Sequence, residues 1–308
     1  MGIDRHNLAL LAHAQDLGAN FTRTIGIGRQ AVFVDARELE QHRRLRGLPP
    51  LSESPRAAGA PHYFEPLLQH WLGAEQVDSV DASPYENATL LHDMNLPLPA
   101  TGVARASYDA VLDFGCLEHV FDFPTAWRNC VDLCRVGGHI LHALPANNLS
   151  GHGFYQFSPE LFFNLYQERN GFALRGLWFA LKADPMHWWR VADPAVVRRR
   201  VTLRNAHEVY LLEIARKLVD PGPFTAPQQS DYAQSEWLRP AEPVALSDTG
   251  SGPGSGATRQ ALATLGLLDA ARSVRERVRG WQHSGMALPP PDYQRVVVAD
   301  LLRESGAR

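Results

Sequence analysis

Two short segments of the 308-residue chain carry side chains that can take up or release a proton. Glu118 and His119 are adjacent in the first, and His152 stands between two glycines in the second. Histidine is a common general base because its imidazole titrates near neutral pH. Flanking glycines give His152 the backbone freedom of a ligand-facing loop. His119 and His152 are therefore candidate general bases, and Glu118, Tyr155 and Gln156 are candidate substrate-binding residues.

A second group of candidates follows four apolar segments that have the composition of buried strands. In chain order these candidates are Gly26 and Gly28, then Asp81, then Asp93, and finally Phe114 with Gly115. Glycine lets the backbone approach a ligand without a Cβ in the way. A carboxylate after the second strand can accept hydrogen bonds from both ribose hydroxyls. One after the third strand can accept from the exocyclic amine of a base, so the order predicts a site for an adenosine-like ligand.

The elements that must position these groups are clearest in the middle of the chain. Tyr108–Phe114 is a short apolar run that predicts a strand buried on both faces. Asp122–Cys134 has apolar residues at helical spacing, and the glycine pair 137–138 predicts the end of that helix. Ile140–Leu144 then predicts a second strand. Such a unit implies parallel strands, whose carboxyl ends form the ligand-binding edge of an open α/β sheet.

The rest of the chain alternates between helical and extended patterns. Further helices are predicted at residues 7–17, 36–46, 63–72, 158–167 and 292–303, and further strands at residues 21–25, 77–80, 89–91, 172–181 and 201–218, the last with a turn near residues 205–206. This alternation predicts an α/β fold.

The composition along the chain predicts three parts. Residues 1–218 hold the α/β domain, with a helical insertion at residues 31–72 between its first and second strands. Residues 219–260 are rich in Pro, Gly and Ser and predict a flexible linker or long surface loop. Residues 261–308 predict a C-terminal helical extension. Its apolar stripe can dock on the domain's own core or on a second copy, which leaves a homodimer open.

Composition narrows the classes of function. A net charge of −3, with 45% hydrophobic and 20% charged residues, fits a globular protein and gives no reason to expect nucleic acid as a partner. Neither a signal peptide nor a run of about 18 apolar residues is present, so we expect a cytoplasmic protein without membrane contact. The three cysteines predict packing, with no disulfide framework and no metal site.

The segment YDAVLDFGCLEHV at residues 108–120 and the glycine pair before ILHALP resemble the class I S-adenosylmethionine-dependent methyltransferases. The resemblance extends from about residue 78 to residue 182. It implies a Rossmann-like, seven-stranded, mostly parallel sheet with helices on both faces and antiparallel closing strands. S-adenosylmethionine is the cofactor that it implies. The implied cofactor contacts are Gly26, Gly28, Asp81, Asp93, Phe114 and Gly115.

The chain also departs from the family pattern. Thr24 stands where the family usually has an acid, and Gln30 where it usually has a third glycine. Two functions therefore stay open. One is methyl transfer to a small-molecule or sugar acceptor, with oxygen or nitrogen favoured over carbon; the other is a non-catalytic relative that acts in protein interaction. A nicotinamide-dependent oxidoreductase is disfavoured because the third glycine of the dinucleotide pattern is missing.

Several of these residues have a structural alternative. His119 suits a helix start as well as it suits catalysis, whereas the glycines and aromatic residues around His152 favour a function. Phe154 and Phe157 are expected in the core. The tryptophan pair 188–189 is expected to pack against the sheet.

Overall fold

A computed structural model describes residues 2–48, 63–222, 226–233 and 293–303 of the chain. The strands are β1 (Arg23–Ile27), β2 (Gln76–Asp81), β3 (Leu90–Leu91), β4 (Tyr108–Asp113), β5 (Cys134–Asn147), β6 (Phe172–Leu181), β7 (His187–Val191), β8 (Val209–Lys217) and β9 (Tyr293–Val297). The helices are α1 (Arg5–Asp16), α2 (Ala36–Leu45), α3 (Phe64–Leu72), α4 (Phe123–Leu133), α5 (Pro159–Leu165), α6 (Pro194–Val197), α7 (Ser230–Ala233) and α8 (Val298–Arg303). Two short 3₁₀ turns span Leu117–His119 and Glu168–Asn170.

These strands form one sheet in the order β3-β2-β1-β4-β5-β8-β6-β7-β9. The first five strands in that order pair in parallel. β8 lies between β5 and β6 and is antiparallel to both. This Rossmann-like α/β arrangement, with its antiparallel closing strands, confirms the predicted fold class. The described sheet is larger than the predicted seven strands, because β7 and β9 extend it at one edge.

Helices cover both faces of the sheet. Successive residues of β4 point to opposite faces, so Val111 packs on one side and Ala110 and Leu112 on the other. The Val111 side is covered by α4 and α5, and the opposite side by α1, α3 and α8. Because both faces are buried, β4 is apolar along most of its length, as the sequence predicts for a central parallel strand.

The glycine pair does not end the helix that precedes it. Helix α4 ends at Leu133, and Cys134 is already extended, with φ −71° and ψ 129°. Gly137 and Gly138 lie inside β5, where its register with β4 is irregular. Gly137 has φ +83°, and a Cβ on Gly138 would stand 2.9 Å from the carbonyl oxygen of Asp109. The pair therefore forms a bulge, and the prediction of a helix end there was wrong.

Three other predicted elements differ from the structure. The first strand is shifted along the chain, so that Gly26 lies inside β1. The segment predicted as strand at residues 201–218 is extended strand only after its predicted turn, beginning at Val209. The helix predicted at residues 292–303 begins at Val298, because the residues before it form β9 and pair with β7. This pairing joins segments far apart in the chain, which a local helical pattern does not reveal.

The tryptophan pair of β7 packs as predicted. Trp188 is fully buried, Trp189 is nearly so, and the indole N–H of Trp188 donates a hydrogen bond to Nδ1 of His6 at 3.1 Å.

Helix α3 begins beside the end of β1. The backbone N–H of Phe64 donates to the carbonyl oxygen of Gln30 at 3.0 Å, which brings the two segments together across the predicted insertion. The division into domain, linker and extension stays a prediction, since most of residues 219–308 lies outside the described residues, as does the apolar stripe proposed for a homodimer. Among the described helices, none has the length and apolar character to span a membrane.

Candidate active site

The carboxyl ends of β1, β2 and β4 lie level with one another. Ile27 pairs with Val80, and Gly26 pairs with Leu112, so Gly28, Asp81 and Phe114 follow at the same height. Neighbouring strands are about 4.8 Å apart, so the three ends span about 10 Å of the sheet edge. This edge is where open α/β sheets bind their ligands.

The two predicted cofactor glycines have different structural roles. Gly26 lies within β1, and Gly28 follows the end of that strand. A Cβ on Gly26 would stand 2.6 Å from Cζ of Phe64, so its missing side chain makes room for α3. Gly28 has φ +73°, which suits glycine, and turns the chain out of the strand. The amide group of Gln30 donates to the carbonyl oxygen of Ile27 at 2.6 Å. Of these two glycines, Gly28 is therefore the one that we expect to border a ligand at the sheet edge.

The two predicted carboxylates each close their own turn. Asp81 accepts a hydrogen bond from the backbone N–H of Ser83 at 2.9 Å. Asp93 accepts from the backbone and side-chain N–H groups of Asn95, which lower the pKa of Asp93. Asp81 is half-buried and Asp93 is exposed, so both present charged oxygen to the solvent at the sheet edge.

The segment after β4 combines a buried side chain with a sharp turn. Phe114 is fully buried against the face that α1 and α3 cover, so only its backbone can border a ligand. Gly115 has φ +94°. The Asp113 carboxylate accepts from the backbone N–H groups of Cys116 and Leu117, at 3.0 and 3.2 Å. Asp113 thereby fixes the turn that leads into Glu118.

Asp113 is also the first member of a series of buried, hydrogen-bonded side chains beneath the site. This series was not predicted from the sequence. Nδ1 of His142 donates to the Asp113 carboxylate at 2.8 Å, and Nε2 of His142 accepts from the Tyr166 hydroxyl at 2.6 Å. Glu213 lies opposite His142 on β8, and burial raises its pKa well above the ordinary value. A histidine inside the apolar run ILHALP is the signal that indicates such a partner, because buried polar groups need hydrogen bonds.

Glu118, His119 and His152, which we call the Glu118 cluster, come together at the ends of β4 and β5. Oε1 of Glu118 lies 3.4 Å from Nε2 of His152 and 3.7 Å from Nε2 of His119. The two imidazole centroids are 5.1 Å apart. Glu118 is fully buried, and neither of its oxygens accepts a hydrogen bond from a described residue. Burial and the nearby Asp113 carboxylate raise the pKa of Glu118 to about 8.

The loop of residues 149–157, which we call the His152 loop, is held against Glu118 by its backbone. The N–H groups of Phe154 and Tyr155 donate to the Glu118 carbonyl oxygen at 2.7 and 3.3 Å. Gly153 has φ +83°, and a Cβ there would stand 2.7 Å from the same oxygen. Glycine is therefore required at this position if His152 is to reach Glu118.

The other two predicted substrate contacts have partners within the protein. The Tyr155 hydroxyl donates to the carbonyl oxygen of Phe121 at 2.6 Å. The side-chain oxygen of Gln156 accepts from the backbone N–H of Leu149 at 2.8 Å. Both side chains hold the His152 loop in place, so their role as substrate contacts stays a prediction.

An exposed aromatic pair stands beside the cluster. Phe121 and Phe154 each follow a cluster histidine by two positions, and their ring centroids are 6.2 Å apart in an edge-to-face arrangement. They are 73% and 69% exposed, so the prediction that Phe154 is in the core was wrong. The tight turn at Gly153 directs Phe154 outward, whereas Phe157 is buried as predicted.

A cavity of about 290 Å³ opens beside His152. Its wall includes Phe33, Leu149, Lys182 and Tyr210. It therefore combines apolar surface with an ammonium group, a phenol and the imidazole of His152. Its volume is close to the lower end of the range for small-molecule pockets.

No protein-family model and no curated protein sequence matches the chain. Among solved structures, the chain is similar to the trans-methyltransferase CalH in complex with SAH, with 13% identity, 69% of this chain and 57% of that chain covered, and a TM-score of 0.36. It is similar to the N-methyltransferase NodS from Bradyrhizobium japonicum WM9 in complex with S-adenosyl-L-homocysteine, with 13% identity, 69% and 85% covered, and a TM-score of 0.37. It is also similar to the branched-chain polyamine synthase from Thermus thermophilus, with 14% identity, 71% and 58% covered, and a TM-score of 0.32. Similarity at this level assigns no activity to the chain.

Proposed function

We propose that the chain is an S-adenosylmethionine-dependent methyltransferase whose acceptor is a small molecule or a sugar, methylated on oxygen or nitrogen. The observation that carries this proposal is the arrangement of the sheet edge. Gly28, Asp81 and Gly115 line one half of that edge, and the Glu118 cluster lines the adjoining half. A donor site beside a proton-accepting site is what methyl transfer to a hydroxyl or amine requires.

The residues at the cofactor half fit an adenosine-containing ligand. Gly28 and Gly115 are both left-handed, and a Cβ on Gly28 would fill space within 3.8 Å of Sγ of Cys116. Asp81 would hold the ribose hydroxyls, and Asp93 would accept from the adenine amine. When bound, S-adenosylmethionine supplies an electrophilic methyl group on a sulfonium.

The chain's own chemical contribution lies in the two histidines. Nε2 of His152 faces the Glu118 carboxylate, and the His152 imidazole lines the cavity in which an acceptor would sit. His119 stands beside it at the start of the segment before α4. Either imidazole can take the proton of an acceptor hydroxyl or amine, provided that the acceptor oxygen or nitrogen reaches hydrogen-bonding distance.

The cavity favours a small acceptor. Its volume of about 290 Å³ would hold a compact molecule, while Phe121 and Phe154 offer an exposed surface for stacking a ring. Lys182 and Tyr210 would supply polar contacts at the cavity wall. A small molecule or sugar with hydroxyl groups meets these requirements.

A non-catalytic relative is the second candidate, and the first glycine motif favours it. Thr24 is fully buried and donates its hydroxyl hydrogen to the carbonyl oxygen of Phe21 at 2.8 Å, so no acid stands there. The side chain of Gln30 fills the turn where a third glycine would leave space. Such a protein would bind the cofactor weakly or would bind it without turnover.

Calorimetry with S-adenosylmethionine and S-adenosylhomocysteine tests the donor site. We expect micromolar binding of both and none of NAD. Absence of binding of either ligand at millimolar concentration would contradict the proposal. Transfer of radiolabelled methyl groups into the small-molecule fraction of a lysate then separates an enzyme from a non-catalytic relative.

A further inference from the structure

The ionisable side chain of Glu118 is fully buried. Neither of its oxygens accepts a hydrogen bond within the described part of the chain. Nε2 of His152 likewise has no hydrogen-bond partner there. A buried polar group without a hydrogen-bond partner lowers the stability of a protein. Glu213 is a second buried glutamate whose oxygens accept no hydrogen bond from a described residue, but the carboxyl group of Glu118 also has two imidazole nitrogens within 4 Å, and this combination indicates a ligand-binding site.

The spacing of the atoms in the Glu118 cluster fits a bound metal ion. One oxygen of Glu118 and one ring nitrogen of each histidine all lie within 4.8 Å of one another. Ligands at about 2.0–2.2 Å from a common ion are about 2.8–3.6 Å apart in octahedral (adjacent ligands) or tetrahedral geometry. The Glu118 Oε1 distances of 3.4 Å to His152 and 3.7 Å to His119 are close to this range.

We propose that Oε1 of Glu118, Nε2 of His119 and Nε2 of His152 bind one divalent cation at the acceptor half of the site. Mixed imidazole and carboxylate ligands suit ions such as Mn²⁺, Co²⁺ and Zn²⁺ better than they suit Ca²⁺. The side chains of His119 and His152 are 49% and 38% exposed, which leaves one side of the ion open towards the solvent.

Both ligand segments are fixed before any ion binds. The turn that carries Glu118 is capped by Asp113, and the His152 loop is tied to the Glu118 carbonyl oxygen by the backbone of Phe154 and Tyr155. Outer residues of this kind commonly change metal affinity by 10- to 100-fold when they are replaced. A preformed triad explains why glycine stands at position 153, where a side chain would push the two segments apart.

An acceptor would bind to the exposed side of the ion, so the chemistry of the ion restricts the class of acceptor. This step rests on the proposed function. With Nε2 of both histidines bound to the ion, the ion would replace them as the group that activates the acceptor: it would bind the acceptor hydroxyl and lower its pKa, and the proton would pass to the solvent. A protonated amine offers no lone pair to the ion. The site would therefore favour hydroxyl acceptors over amines.

Titration of the chelator-stripped chain with Mn²⁺, followed by electron paramagnetic resonance of the free ion, tests the site. We expect one ion per chain with micromolar affinity. Glu118→Gln and His152→Ala should each weaken binding at least tenfold, whereas His70→Ala, a matched control at an exposed histidine of α3, should leave it unchanged. Circular dichroism establishes that each variant is folded.

Absence of Mn²⁺, Co²⁺ and Zn²⁺ binding at millimolar concentration would overturn the proposal. So would unchanged affinity in folded Glu118→Gln and His152→Ala variants. If these variants do not fold, X-ray absorption of the Zn²⁺-loaded natural chain decides, since two imidazole ligands are expected and their absence contradicts the site. Calorimetry with S-adenosylhomocysteine on the metal-free chain keeps this test separate, because cofactor binding without metal binding would leave the proposed function standing and remove this inference alone.

Discussion

The carboxylates that follow β2 and β3 are accessible and hydrogen-bonded within their own turns, whereas the carboxyl group of Glu118 after β4 is buried and accepts no hydrogen bond from a described residue. Asp81 and Asp93 each accept hydrogen bonds from residues two positions further along the chain. Glu118 accepts none from a described residue, although it is fully buried. The two halves of the sheet edge therefore differ in hydrogen bonding: only in the half that contains Glu118 would a ligand supply a partner that the described residues do not.

This difference indicates two kinds of binding. In the first half, water can make the hydrogen bonds that a ligand would make. The protein therefore folds equally well without the ligand. In the second half a ligand supplies a partner to Glu118 that the described residues do not. We expect substitutions in the first half to change affinity and those in the second half to change stability as well.

The largest expected effect is that of Asp113→Asn, compared with Asp93→Asn. Both carboxylates cap a turn after a strand, but Asp113 is fully buried and paired with His142. Asparagine would place an NH₂ group against Nδ1 of His142 and leave a buried donor without an acceptor, which should lower the free energy of unfolding by about 3 kcal/mol. Asp93→Asn should leave the urea midpoint unchanged. Equal midpoints for the two variants would contradict the contrast between the halves.

The next effect is a pH dependence that arises from His139 at the other end of β5, whose ring nitrogens have no hydrogen-bond partner among the described residues. His139 is buried, and burial together with Arg216 and Arg175 lowers its pKa to about 4. Since the unfolded chain takes up this proton near pH 6.5, its contribution is fully present above that pH and is lost as the pH falls towards 4. We expect a loss of up to about 3 kcal/mol, measured by urea unfolding. His139→Leu should flatten the profile, and an unchanged slope would refute this cause.

A smaller effect should follow from Gly153→Ala, with Gly151→Ala as its matched control in the same loop. The first places a Cβ at φ +83° and 2.7 Å from the Glu118 carbonyl oxygen. The second meets no atom within 4 Å. We expect Gly153→Ala to lower the free energy of unfolding by about 2 kcal/mol and Gly151→Ala by less than about 0.5 kcal/mol. Similar losses in both variants would show that the His152 loop is not closely held.

The smallest effect on stability is expected from Asp81→Ala. It should weaken S-adenosylhomocysteine binding at least tenfold, because hydrogen bonds to a charged group contribute about 1.5–3 kcal/mol. Glu75→Ala, which removes an exposed carboxylate just before β2, is the control and should bind as the natural chain does. The urea midpoints of both variants should stay unchanged. Unaltered affinity after Asp81→Ala would remove the ribose contact from the proposed site.

The sequence predicts the central elements well and the contacts between distant segments poorly. Tyr108–Asp113 is a continuous run that reads as a buried strand without knowledge of its neighbours. The chain from Asp113 through His142 to Tyr166 depends on tertiary packing, since its members are separated by more than twenty positions. β9 was missed for the same reason, because its partner β7 lies far away in the sequence.

The candidate site shows the same limit. The strand ends could be ordered from the sequence, and the structure brings Glu118, His119 and His152 together as one group. Their joint role could not be predicted, because it depends on the burial of Glu118 and on the tight turn at Gly153. Phe154 illustrates the opposite error, since aromatic character alone suggested burial and the turn places the ring outside.

A crystal structure of the chain with S-adenosylhomocysteine and Mn²⁺ tests the central claim most directly. The account predicts the ribose hydroxyls at Asp81, the cofactor sulfur directed towards the Glu118 cluster, and one metal ion bound by Glu118, His119 and His152. Cofactor and ion bound elsewhere, or a sheet edge that stays empty at saturating concentrations of both, would contradict it.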